Sequence, residues 1–244
     1  MSKNVRIKEV NKDLTEIIFV LDKSGSMWDI KDDTIGGFNQ FIDDQKKLPG
    51  EALFTFITFD TQYKKVSEGA LLESVEPLNE GTYTPRGGTA LFDAVNSAVS
   101  DTVERHANLT GDKTPGKTIL VVLTDGEENS STEVRDVKEI GRMVAEREKA
   151  GWEVLFLGAD LDNWAQMGSG MGFSKFGNMD KSDMLTNMKK MSNHTAYYRS
   201  ANVVAGATLD NAVFEKNFNM SEEELDKQMK DLQKEKKEEG KTEK

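Results

Sequence analysis

Ile17 to Met27 read IIFVLDKSGSM. Five consecutive apolar residues run straight into Asp22, and hydroxyls follow at Ser24 and Ser26. An apolar run without alternation is the pattern of a strand covered on both faces, as in a parallel sheet flanked by helices. In open α/β sheets the carboxyl ends of such strands are where ligands bind. A spacing of two in a tight loop can aim three oxygens at one point there. A carboxylate and two hydroxyls are hard donors, which favour Mg²⁺, Mn²⁺ or Ca²⁺ over softer metals.

Working outward, two further runs have the same character: TILVVL (Thr118 to Leu123) and EVLFLG (Glu153 to Gly158). With EIIFVL (Glu16 to Leu21) they are the expected central strands. ALFTFITFD (Ala52 to Asp60) and YKKVSEG (Tyr63 to Gly69) are separated by Thr61 and Gln62 only, a spacing that predicts a hairpin and hence one antiparallel strand at the sheet edge. Between the strands, Trp28 to Lys47, Ala90 to His106 and Val134 to Ala150 carry apolar residues at helical spacing. The hydroxyls of NSST (Asn129 to Thr132) would cap the third helix, and Gly151 would end it. The expected fold class is therefore α/β: a doubly wound, Rossmann-like, mostly parallel sheet with one antiparallel edge strand and helices on both faces.

Beyond Gly158 the pattern weakens. NWAQMG (residues 163–168) reads as a short helix, FSKFG (Phe173 to Gly177) as a short edge strand, and Ser182 to Ser200 as a helix whose Met184, Met188 and Met191 form a core stripe. The last 24 residues hold nine acids and seven bases. Ser221 and Glu224 match a capping box, and Leu225, Met229 and Leu232 form a thin apolar stripe. That segment reads as a solvated helix that frays, or alternatively as a docking helix. The expected organisation is an extension over 1–14, a single domain over 15–219 and a charged helix or tail over 220–244.

Composition narrows the function classes. The chain has 244 residues, no cysteine and a net charge of −11, with 36% apolar and 31% charged residues. Thiolate chemistry and cysteine-based zinc sites are excluded. The acidic balance repels phosphate backbones and anionic lipid, so nucleic acid and membrane are not expected partners. Neither a signal segment nor a long apolar run is present, which makes the cytoplasm the expected location. The two histidines, His106 and His194, lie outside any catalytic motif and are expected to be ordinary surface or satisfied side chains.

Three ligands do not complete a shell, and neighbouring loops offer two more. Thr89, in PRGGTALFD, sits where a glycine-rich loop enters a helix. Asp125, in LTDGEEN, follows the strand Thr118 to Leu123. Two carboxylates ending adjacent strands would repel, and a cation between them relieves that. Rival readings fail on spacing. An EF-hand loop starting at Asp22 requires glycine at position six and glutamate at position twelve, where the chain has Met27 and Asp33. No Walker phosphate loop exists. A haloacid-dehalogenase nucleophile usually has a second aspartate where Ser24 stands. Taken singly, Thr89, Ser24 and Ser26 are equally good helix caps, and Asp125 an ordinary turn residue.

DKSGSM followed by GGTAL and TDGEEN resembles the von Willebrand factor A domain and its metal-ion-dependent adhesion site, over about Thr15 to Gly177 and more loosely to about residue 215. The likeness is strongest to stand-alone members from bacteria and their phages. It implies that Asp22, Ser24, Ser26 and Thr89 bind a divalent cation, Mg²⁺ with Mn²⁺ or Ca²⁺ as substitutes, that Asp125 acts through water, and that a sixth position takes a carboxylate from a partner protein. It further implies a binding module rather than an enzyme. Two alternatives stay open: a metal-dependent hydrolase or phosphotransfer enzyme using Glu127 or Asp60 as base, and an accessory subunit of a separate ATPase. Trp28, Tyr83 and Arg86 are expected on the rim, with packing against the helix start the alternative for Trp28, and Glu127 and Asp60 as supporting groups behind the ligands.

Overall fold

The first strand, β1 (Asn11–Asp22), is the centre of the molecule, paired in parallel with β2 (Ala52–Phe59) on one side and with β4 (Pro115–Thr124) on the other. Ile17 to Leu21 are all buried. In this computed structural model, which describes residues 10–159, 170–179, 181–201 and 207–242, the sheet order is β3-β2-β1-β4-β5-β6. β3 (Tyr63–Leu71) is the antiparallel edge strand, while β5 (Glu153–Ala159) and β6 (Lys175–Met179) extend the parallel sheet on the far side. Chain direction of assembly therefore reverses between β1 and β4, and the crevice where ligands gather in such sheets opens above that pair.

Alternation along β1 divides the core in two. Ile17, Phe19 and Leu21 face the layer formed by α1 (Lys31–Lys46) and α4 (Met184–Ser200), where Phe19 meets Phe38 and Phe41 edge-on at 5.4 and 5.2 Å. Ile18 and Val20 face α2 (Leu91–Asn108) and α3 (Val137–Lys149), among Leu91, Val95, Ile140 and Val144. Met184, Met188 and Met191 are buried core residues, as their spacing predicts. Gly37 explains how closely α1 approaches α4: a Cβ there would lie 2.7 Å from Met188 Cγ.

Several boundaries differ from the sequence reading. β1 begins at Asn11, so residues expected in an extension are part of the sheet. Asp60 leaves the strand and joins Thr61 and Gln62 in the turn, its carboxylate accepting from Gln62 N at 2.8 Å. A 3₁₀ turn over Gly25–Ile30 precedes α1, which starts at Lys31 rather than Trp28. The third helix starts at Val137 and is capped by Asp136, which accepts from Lys138 N at 2.9 Å, and not by NSST. Gly151, with φ of 89°, does end it. The short helix expected over 163–168 lies outside the described residues.

Near the C-terminus, α5 (Asn211–Phe218) is followed by α6 (Glu222–Thr242). The capping box forms: Ser221 N donates to Glu224 Oε2 at 2.8 Å, and Glu224 N to Ser221 Oγ at 3.4 Å. The apolar stripe of α6 is not left to solvent. Leu225 and Met229 are buried, Met229 beside Leu48 and Ala196, with Leu232 packed against them.

Each histidine serves a buried glutamate of a strand, Glu16 within β1 and Glu153 at the start of β5. His106 Nε2 lies 2.5 Å from Glu16 Oε2, and Glu16 also accepts from Arg105 and Thr55. His194 Nε2 lies 2.7 Å from Glu153 Oε1, whose other oxygen meets Lys175 Nζ at 3.3 Å. Among the described residues, no helix is long and apolar enough to cross a membrane.

Candidate functional site

Asp22 ends β1 and Asp125 follows the last residue of β4, so strand pairing brings the two carboxylates to one edge of the sheet. The loop between Asp22 and Met27 is held by its neighbours through the backbone. Lys23 N donates to Phe59 O at 2.7 Å, Arg86 N to Lys23 O at 2.8 Å, and Gly25 N to Gly87 O at 3.0 Å. Thr89 is fixed from the other side, its N–H donating to Asn129 Oδ1 at 2.9 Å and its carbonyl accepting from Asn129 N and Ser130 N.

The candidate oxygens then converge. Asp22 Oδ1 accepts from Ser24 N at 2.6 Å and Oδ2 from Thr124 Oγ1 at 2.5 Å. Ser24 Oγ and Ser26 Oγ are 3.0 Å apart, and Ser26 Oγ donates to Asp125 Oδ1 at 2.6 Å. Neither serine is used as a cap: the turn after Ser24 has no side-chain cap bond, and α2 likewise has none at its start. Gly126 locates Thr89 in the same cluster. A Cβ on it would lie 2.6 Å from Thr89 Oγ1, 3.1 Å from Ser26 Oγ and 3.3 Å from Ser24 Oγ, so three hydroxyls surround a space that only glycine leaves open.

Electrostatically the cluster wants positive charge. Asp22 is fully buried. Burial pushes its carboxyl up, Asp125 adds to that, and the bonds from Thr124 and Ser24 only partly offset it, leaving it at about 7. Among the described residues no cluster of three or more His, Asp or Glu stands ready for a metal, so the donor set here is the mixed one, two carboxylates with three hydroxyls.

The surrounding residues divide differently from the sequence expectation. Tyr83 is not on the rim; it is buried, and its hydroxyl donates to Asp22 O at 2.6 Å, bracing the end of β1 from below. Trp28 is on the rim, beside the first residue of α1. It is 57% exposed, with Lys31 Nζ 5.4 Å above its ring. Arg86 is at the rim, but its Nε bonds Asp60 Oδ2 at 3.2 Å. Asp60 also accepts from Lys23, and although burial pushes its carboxyl up, the bonds from Lys23, Gln62 and Arg86 hold it below the usual carboxylate range. Glu127 faces solvent.

Sequence reasoning passed over Glu128 and Asp93. Glu128 accepts from Ser130 N, Ser131 N and, at the start of α2, Phe92 N. Asp93 in turn accepts from the backbone of Thr132, Glu133 and Val134. Together they lash the loop after β4 to the helix that follows Thr89. An acid in the first turn of α2 was the only signal available for Asp93, and none pointed to Glu128 over Glu127.

A family profile described as the von Willebrand factor type A domain matches residues 16–211. The chain belongs to this family. Solved structures agree on the fold. A von Willebrand factor type A protein from Catenulispora acidiphila superposes with a TM-score of 0.50 at 16% identity, covering 74% of this chain and 42% of that one. The vWF domain of the type V pili tip protein Mfa5 from Porphyromonas gingivalis gives 0.55 at 9% identity, covering 81% and 99%. Proximal thread matrix protein 1 from the mussel byssus, in a form with a zinc-occupied MIDAS motif, gives 0.51 at 16%, covering 78% and 49%. The von Willebrand factor A chain thus spans under half the length of the first and third of these. No curated protein matches it.

Proposed function

We propose that this von Willebrand factor A domain is a metal-dependent protein-binding module: Asp22, Ser24, Ser26 and Thr89 hold a divalent cation, Asp125 assists through water, and an acidic residue of a partner protein completes the shell. The observation that carries this is the convergence of three hydroxyls on the Cβ-free space at Gly126, with Asp125 bonded to Ser26 and Asp22 to the backbone of Ser24. Oxygen donors of this kind suit Mg²⁺, with Mn²⁺ and Ca²⁺ as substitutes. A shell rich in neutral hydroxyls leaves the cation electrophilic and receptive to a further carboxylate. The zinc-occupied site of the mussel relative supports a divalent ion at this place in the fold.

Binding rather than turnover is the role the surroundings favour. A hydrolase reading requires a base turned toward the cation; of the two carboxylates considered for it, Asp60 is bonded by Lys23 and Arg86, and Glu127 faces solvent. Exposed Trp28 beside the metal loop offers a contact surface of the type enriched in interfaces. Calorimetry tests the core of the proposal. Mg²⁺ or Mn²⁺ is expected to bind the wild-type protein, with binding lost in Asp22→Ala; a wild type that binds neither ion, or an Asp22→Ala variant that binds as well as wild type, sinks it.

A further inference from the structure

A cavity of about 360 Å³ lies between the edge strand β3 and the loop leading to Thr89, and it opens at the flank of the metal loop, where Lys23 forms part of its wall. Three of its lining residues, Lys23, Lys64 and Arg86, are cationic, and no carboxylate lines it. Asp60, almost fully buried, offsets part of this charge through Lys23 and Arg86, but the Arg86 side chain is 70% exposed. Lys64 is exposed and makes no ion pair among the described residues, whereas Lys65, on the opposite face of the strand, is taken up by Glu68 and Asp101. The floor is apolar, from Phe56 and Leu78, with Val66 half exposed at the edge. On a chain of net charge −11 such a groove is an exception to the overall field.

We infer that this groove receives an extended acidic segment of the partner protein, so that one carboxylate reaches the cation while a second acidic side chain, further along the same segment, is held by Lys64 and Arg86. The inference rests on the metal-dependent binding proposed above and extends it from one carboxylate to a short acidic stretch. Charge complementarity selects the occupant, because Asp60 balances only part of the charge of Lys23 and Arg86, and a basic or neutral peptide would leave Lys64 and that excess uncompensated beside a further positive centre. Among the described residues β3 is an edge strand, and an extended chain can lie along its outer side.

The test uses the full-length protein saturated with Mn²⁺ and a fluorescein-labelled ten-residue glutamate oligomer, read by anisotropy at low and at physiological salt. Wild-type protein is expected to bind it, Lys64→Glu to bind about tenfold more weakly, and Arg86→Gln to be intermediate, with the differences shrinking as salt rises. Mn²⁺ affinity of Lys64→Glu, measured separately by calorimetry, is expected to equal that of wild type. Equal oligomer binding by wild type and Lys64→Glu, or no binding to the Mn²⁺-loaded wild type, overturns the inference. Oligomer binding that needs Lys64 but survives Asp22→Ala keeps the groove and overturns the metal reading instead. A concentration-dependent dimer in ultracentrifugation, abolished by Lys64→Glu, assigns the groove to a second copy of this chain and overturns the partner-protein occupant.

Discussion

At the scale of single residues the site depends on what is missing as much as on what is present. Gly126 has no Cβ, and the nearest hydroxyl to where one would be is only 2.6 Å away. Gly126→Ala is therefore expected to leave the chain folded but to weaken Mn²⁺ binding at least about tenfold in calorimetry, since Thr89 and the serines must separate to admit the methyl group. Tyr83 presents the complementary case. Its hydroxyl satisfies the buried Asp22 carbonyl, so Tyr83→Phe leaves an acceptor without its donor and is expected to cost about 1–2 kcal/mol in urea unfolding. The five candidate residues named from the sequence stood out because residue type and spacing single them out. Tyr83 did not, because a tyrosine in a polar loop gives no sign of which way its ring will turn, and only the packing under Asp22 decides that.

At the scale of elements, both buried glutamates are strand residues met by a helix histidine, with Arg105 of α2 beside Glu16 and Lys175 of β6 beside Glu153. For Glu16, burial pushes the carboxyl up, but the bonds from His106, Arg105 and Thr55 outweigh it and hold the group below its ordinary value. A carboxylate with a depressed folded pKa contributes stability that is fully present above its unfolded pKa and is lost as pH falls through the folded one. Glu16→Gln is thus expected to be less stable than wild type at neutral pH, with the gap closing in denaturant titrations taken below about pH 4. The strands themselves were legible from apolar runs, and α4 from its methionine stripe. The start of α3 was not, since four hydroxyl-bearing or amide residues at NSST look like a cap until Glu128 and Asp93 are seen to draw that loop onto α2 instead. The C-terminal helix was legible as a helix through its capping box, but its destination was not. A stripe as thin as Leu225, Met229 and Leu232 fits solvent, a partner or its own domain equally well. Because Leu225 is buried, Leu225→Ala is expected to cost about 2–3 kcal/mol and to raise amide exchange through α6 before it affects β1.

At the scale of the whole molecule, strand order decides where function can sit. The sequence reading already took the strands ending at Asp22 and Asp125 as adjacent, and the order β2-β1-β4 sets the two aspartates side by side. A cation bound there links the two halves of the sheet and stabilises only the folded chain. At a concentration about 100 times its dissociation constant it is expected to add about 2.7 kcal/mol, read as a rise in melting temperature that Asp22→Ala lacks.

Ser26 and Asp125 are hydrogen-bonded across 99 residues of chain, and Thr124 reaches back 102 residues to Asp22. During synthesis from the amino end, then, a nascent chain presents Asp22, Ser24, Ser26 and Thr89 long before β4 and the Asp125 that follows it have left the ribosome. A polypeptide stalled or truncated before β4 would own four of the five candidate donors and no assembled site, so the partner recognition proposed above would be reserved for molecules in which translation has passed β4 and the sheet has closed around it.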